Sequence, residues 1–102
     1  LLVIATGIRP NVELAERAGL DVKRGIVVGD DLACAGASDV YAIGECAEHR
    51  GHLYGLVAPV WEQADVLAAR LTGTAPDATY VGSRLATRLK VAGLDVAVMG
   101  DK

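Results

Sequence analysis

The chain opens on an unbroken apolar run, Leu1 to Ala5, that stops at Thr6-Gly7. Five apolar residues without alternation predict a strand covered on both faces, as in a parallel sheet. A helix over about Val12 to Ala18 should follow. Asn11 after Pro10 is a good amino-terminal cap, Glu13 suits the positive end of the helix dipole, and Gly19 can close the helix in a left-handed conformation. Ile26-Val27-Val28 reads as a short strand, and residues 29–38 read as loop. Val40-Tyr41-Ala42-Ile43 reads as a second buried strand, ending in Gly44-Glu45. A glycine there lets the backbone approach a ligand at the carboxyl edge of the sheet.

From Val57 to Leu71 the apolar positions Val57, Val60, Trp61, Ala64, Leu67, Ala68 and Leu71 recur with a helical period, predicting one core-facing stripe. Pro59 fits the first turn, where amides lack intrahelical partners in any case. Thr72-Gly73-Thr74-Ala75-Pro76 breaks the pattern and reads as a linker. Beyond Tyr80, Leu89 and Val91 alternate with polar neighbours, Ala92-Gly93 offers a turn, and Leu94, Val96 and Val98 alternate again. That pattern predicts a hairpin, which alone is marginal in water and should belong to a further domain.

Composition narrows the class without naming a chemistry. With 102 residues, 52% hydrophobic and 23% charged, the chain is expected to be globular, and no apolar run reaches the roughly 20 residues of a membrane span. A net charge of −3, with lysine and arginine scattered, gives a nucleic-acid backbone no electrostatic footprint. The start lacks Met and the features of a signal peptide, so the expectation is an internal segment of a larger cytoplasmic protein. Cys34 and Cys46 are too few and too far apart for a redox pair or a closed zinc site, and His49 and His52 do not complete one. Reduced thiols packed as small hydrophobes are expected, with no metal site.

No nucleophilic triad, paired catalytic carboxylates, Walker loop or GxGxxG phosphate fingerprint is present. The candidate chemistry centres on Tyr41-Ala42-Ile43-Gly44-Glu45-Cys46-Ala47-Glu48-His49, followed by Gly55-Leu56-Val57-Ala58-Pro59 at a helix start. A carboxylate on a turn after a buried strand can accept hydrogen bonds from sugar-like hydroxyls. A nearby helix start offers free amides and partial positive charge to a group that gains negative charge. By spacing alone, Glu45 reads more readily as an exposed turn carboxylate and Glu48 as a solvated loop charge.

The residues themselves carry a resemblance. Ala5-Thr6-Gly7-Ile8-Arg9-Pro10-Asn11 resembles the ATG-x-RPN segment that closes the NAD(P)H-binding domain of flavoproteins with two dinucleotide-binding domains. Tyr41-Ala42-Ile43-Gly44-Glu45 resembles their second FAD motif, YAxGD. Residues 44–51, with Tyr54-Gly55-Leu56-Val57-Ala58-Pro59 and Glu62-Gln63-Ala64, are similar to the family of large subunits of assimilatory NAD(P)H-nitrite reductases. Ala86-Thr87-Arg88-Leu89-Lys90-Val91 and Gly100-Asp101 resemble the start of that family's carboxyl-terminal domain.

This resemblance implies an α/β fragment of a two-dinucleotide-binding-domain flavoprotein with the start of an α+β domain. Residues 1–25 would end the NAD(P)H-binding domain, 26–74 would form the carboxyl-terminal part of the FAD-binding domain, and 75–102 would begin the carboxyl-terminal domain. FAD would be the cofactor and NAD(P)H the cosubstrate, with an iron–sulfur cluster and sirohaem only outside this segment. Partners would be the remaining domains of the parent chain and either a small subunit or a second copy, with neither nucleic acid nor membrane.

Within the site, Glu45 would accept a hydrogen bond from a ribityl hydroxyl, Gly44 would permit close approach, the Val57 and Ala58 amides would face the flavin C2 carbonyl, and Arg9 would lie near the cofactor. None of these is a catalytic residue, because the protein positions and polarises. Three departures stand out: Glu45 replaces the usual Asp, the Thr common before YAxG is replaced around Cys34-Ala35-Gly36, and the GxGxxG of the FAD pyrophosphate is missing. The segment alone is therefore expected to bind FAD weakly or not at all, and to be inactive. A rubredoxin- or ferredoxin-reductase-like enzyme and a non-catalytic folding or interaction module are the alternatives.

Overall fold

The computed structural model describes residues 1–91 and 94–99. Helix α1 spans Glu13–Arg17, strand β1 Ile26–Val28, a 3-10 turn Gly44–Cys46, β2 Ala47–His49, β3 His52–Leu53, α2 Val57–Leu71, β4 Ala86–Val91 and β5 Leu94–Met99. β1 pairs in parallel with β2, placing Val28 beside His49, and β2 pairs antiparallel with β3. β4 and β5 form a separate antiparallel sheet in which Val91 faces Leu94. The expected hairpin is therefore present. Its Ala92-Gly93 turn, and the Gly100-Asp101 pair, lie outside the described residues.

Helix α1 ends as its sequence dictates. Gly19 takes a φ of +73°, its N–H donates to Glu16 at 3.0 Å, and the Leu20 N–H donates to Ala15 at 3.0 Å. These are the two bonds of a Schellman closure, which satisfies carbonyls the helix leaves open. At the other end, Asn11 is not the cap. The helix starts at Glu13 with Val12 before it, and Asn11 Oδ1 accepts only a long 3.4 Å bond from the Glu13 amide.

Two expected strands are corrected. Leu1–Ala5 forms no strand and its side chains are exposed. Strand hydrogen bonds come only from neighbouring strands, and none among the described residues lies beside it. Val40–Ile43 is reduced to a single antiparallel bridge between Ala33 and Tyr41, with the Cys34 N–H donating to Val40 at 2.8 Å. Conversely, β2 and β3 form a hairpin that periodicity misses because its strands are so short. Its two-residue turn uses Arg50 at φ +50° and Gly51 at φ +79°, the doubly left-handed backbone that matches strand twist.

The core gathers Val28, Leu32, Cys34, Ala42, Ala47, Tyr54 and Tyr80, with Leu20, Ile26, Val66 and Leu67 against it. Tyr80 closes this core from beyond the expected linker. Its N–H donates to the Asp30 carbonyl at 2.7 Å and its ring meets Tyr54 edge-on at 5.8 Å. The buried face of α2 also differs from expectation. Pro59 and Gln63 are buried, whereas Val57 is 69% and Trp61 67% exposed, and Leu71 is exposed. Apolar periodicity identifies a stripe but not what lies beside it, and here a polar residue holds the centre of the buried face.

Candidate functional site

Ile43 enters the 3-10 turn in extended conformation, and Gly44 then takes a φ of +85°. That left-handed backbone, which side chains disfavour, is the reason for glycine here. Space is not the reason, since a Cβ would sit 3.8 Å from the Val60 methyls, an ordinary contact. The buried Gly44 N–H donates to Gln63 Oε1 at 2.7 Å, tying the turn to the second turn of α2. The next residue, Glu45, is exposed, and among the described residues its carboxylate has no hydrogen-bond or salt-bridge partner.

Helix α2 begins after Leu56, which is extended and provides no side-chain cap. Val57 and Ala58 are exposed and Pro59 has no N–H, so the helix presents two uncapped amides with the positive end of its dipole. Gly55, just before this start, is approached by Ile8: a Cβ on Gly55 would lie 2.9 Å from Ile8 Cδ1. This contact carries the Ile8-Arg9 segment to the helix start, with Arg9 exposed.

Beneath the turn lies a polar framework. Glu48, 5% exposed, accepts hydrogen bonds from the Arg24 and Gly25 amides, each at 2.9 Å. It is a structural carboxylate, not the solvated charge that spacing allowed. Gly25 must be glycine, because a Cβ would come within 2.9 Å of the Cys46 carbonyl oxygen and 2.7 Å of Leu53. Asp30 sits between Arg50, bonded at 2.9 and 2.5 Å, and His49 Nε2 at 2.9 Å. The Arg50 bonds first and the His49 bond second lower its pKa from 3.8 to about 2.

His49 is 1% exposed and lies against the Tyr80 ring at 4.8 Å. The Tyr80 hydroxyl bonds Ser83 at 2.6 Å, and Ser83 donates to Glu62 at 2.5 Å. Burial pushes the Tyr80 phenol up and is also the main cause raising the Cys34 thiol. Both cysteines are free thiols. Among the described residues no cluster of three metal-binding side chains occurs, and no helix is long and apolar enough to cross a membrane.

Of the expected site residues, Gly44 and Glu45 lie on a turn that is bonded to the helix whose start holds Val57 and Ala58. Arg9 reaches the region only through its neighbour Ile8. The residue that sequence reasoning missed is Gln63, quoted for resemblance alone. A glutamine amid the apolar positions of an amphipathic helix was the available signal.

Comparison with known proteins supplies context. The family model described as pyridine nucleotide-disulphide oxidoreductase matches residues 1–70. The chain is 52% identical over 103 residues to the nitrite reductase (NAD(P)H) of Bacillus subtilis, covering 99% of this chain and 12% of that protein. It is 49% identical over 96 residues to the assimilatory nitrate reductase electron transfer subunit of the same organism, covering 94% and 12%. Among solved structures, a ferredoxin reductase from Rhodopseudomonas palustris superposes with a TM-score of 0.80 at 30% identity, over 94% of this chain and 24% of that one. The chain thus spans about an eighth of the length of these curated relatives.

Proposed function

The chain belongs to the pyridine nucleotide-disulphide oxidoreductase family, and on that premise we propose that it forms the flavin-holding part of an FAD-dependent NAD(P)H oxidoreductase working toward nitrite reduction. One observation carries the reading: an exposed carboxylate at Glu45, without a partner among the described residues, stands on a turn bonded directly to a helix with an uncapped start at Val57-Ala58. These features fit a group that has both hydroxyls to donate and an edge that gains negative charge.

Glu45 would accept from a ribityl hydroxyl, and the Val57 and Ala58 amides would stabilise the charged edge with the helix dipole. Gly44 would keep the turn free of a side chain, and Arg9 would stand near the cofactor. Bound FAD supplies the two-electron redox chemistry. The iron–sulfur cluster and sirohaem of such an enzyme, the domain boundaries at residues 25 and 74, and a small subunit or second copy as partner belong to the same proposal.

The test is FAD affinity in the full-length protein. A charge-assisted hydrogen bond contributes roughly 1.5–3 kcal/mol, so Glu45→Ala should raise the FAD Kd about tenfold or more without lowering stability. Unchanged affinity would remove Glu45 from the site. The ferredoxin reductase likeness favours a second reading, a reductase serving a separate carrier protein. Supplying NADH and nitrite to the purified holoenzyme separates the two, because a carrier reductase leaves nitrite unconsumed.

A further inference from the structure

Gln63 is fully buried on α2, an amide on the helix face that also buries Pro59. Its side chain spends one end on a single partner, the Gly44 amide at 2.7 Å. The other end, Nε2, is buried without a hydrogen-bond partner among the described residues, although the Gln63 amide lies near enough to the Tyr80 hydroxyl to bear on its ionisation. A buried polar group left half satisfied is costly, so what its satisfied end achieves must matter to the fold or to the site.

That satisfied end joins the two halves of the flavin cradle. Gly44 precedes Glu45 and holds a left-handed backbone, while Gln63 lies on the second turn of the helix that starts at Val57. The peptide N–H of Gly44 has its orientation fixed by the same φ that sets where the chain goes next, toward Glu45. Fixing this N–H on the helix therefore fixes the carboxylate relative to the helix amides. A site that binds one ligand through two arms loses affinity when the arms drift, because ordering them is then charged to binding.

Resting on the reading of this site as the flavin cradle, we infer that Gln63 is its positioning residue, setting the distance between the Glu45 carboxylate and the α2 amides through the Gly44 N–H. Gln63 does not touch the cofactor in this role. It acts through Gly44.

The experiment compares Gln63→Met, which keeps length but offers no comparable acceptor, with Gln63→Glu, which keeps an acceptor oxygen, in the full-length protein. FAD Kd, the visible flavin absorption bands and the unfolding midpoint of the flavin-free protein are measured together. Gln63→Met should weaken FAD binding about tenfold, equal to about 1.4 kcal/mol, and shift the flavin bands. Gln63→Glu should restore affinity to within about threefold of the parent even where its midpoint falls as far. Equal loss of FAD affinity in both variants, or parent affinity and an unshifted spectrum in Gln63→Met, overturns the inference.

If Gln63→Met does not fold, native-state hydrogen exchange of the parent holoprotein decides. A Gly44 amide among the slowly exchanging ones supports the role, and exchange at the rate of an exposed amide overturns it. Glu45→Ala separates this inference from the site reading: if that variant weakens FAD and Gln63→Met does not, the positioning role alone fails. If neither does, the flavin site fails.

Discussion

Replacing Glu48 by alanine tests the framework under the site. Its Oε2 accepts two backbone N–H groups at 2.9 Å, one from Arg24 in a half-buried setting and one from buried Gly25. An orphaned buried donor costs about 1–3 kcal/mol, and the Arg24 amide can recover part of its loss from water. Truncation of a buried side chain adds a packing loss, so Glu48→Ala should destabilise by about 2–4 kcal/mol, a large share of the roughly 5–15 kcal/mol that holds a typical domain. Glu48→Gln keeps one oxygen acceptor and should lose about half as much. Urea unfolding followed by circular dichroism reads the difference as a lower midpoint at unchanged slope. A midpoint for Glu48→Ala within about 0.5 kcal/mol of the parent would refute the reasoning, and would mean that the two amides find water or that the Gly25 loop moves freely.

Asp30 gives a pH dependence. Its carboxyl is held at about 2 in the folded protein against an ordinary 3.8, so its contribution is fully present above pH 4 and is lost as pH falls through about 2. Asp30→Asn should flatten the stability profile in that acid window, as followed by urea midpoints across pH; an unchanged slope counts against the Arg50–Asp30–His49 cluster. Leu32 is fully buried and carries a positive φ of +64°. Leu32→Ala should cost about 2–5 kcal/mol from the cavity, whereas Leu32→Gly should lose little more despite one further methyl, because glycine relieves the backbone. A much larger loss for glycine than for alanine would contradict that.

What the sequence made legible follows from range. Helix α2, from Val57 to Leu71, and the β4–β5 pairing were readable because their patterns are long and local. The Schellman closure at Gly19 was readable because one residue decides it. The short β2–β3 hairpin was not, since its pairing depends on Arg50 accepting a left-handed backbone that nothing in its side chain advertises. Leu1–Ala5 looked like a buried strand because its composition suits one, but strand formation needs a neighbour that composition cannot supply. Gly44, Glu45, Val57 and Ala58 were named as candidates by motif, and the structure ties the turn of the first two to the helix that starts at the others. Gln63 was not singled out, because its role arises from a contact nineteen positions away in the chain.

The exposed outer face of α2 has an optical consequence. Trp61 is the only tryptophan in the chain and stands one turn past the helix start, between exposed Val57 and Leu71 along the same helix. Its indole is therefore a built-in fluorophore that reports a single patch. Left in water it emits at long wavelength, and any apolar surface laid over that face moves the emission to the blue. In the 102-residue chain on its own, where no second tryptophan emits, that shift reads coverage of the face without a label.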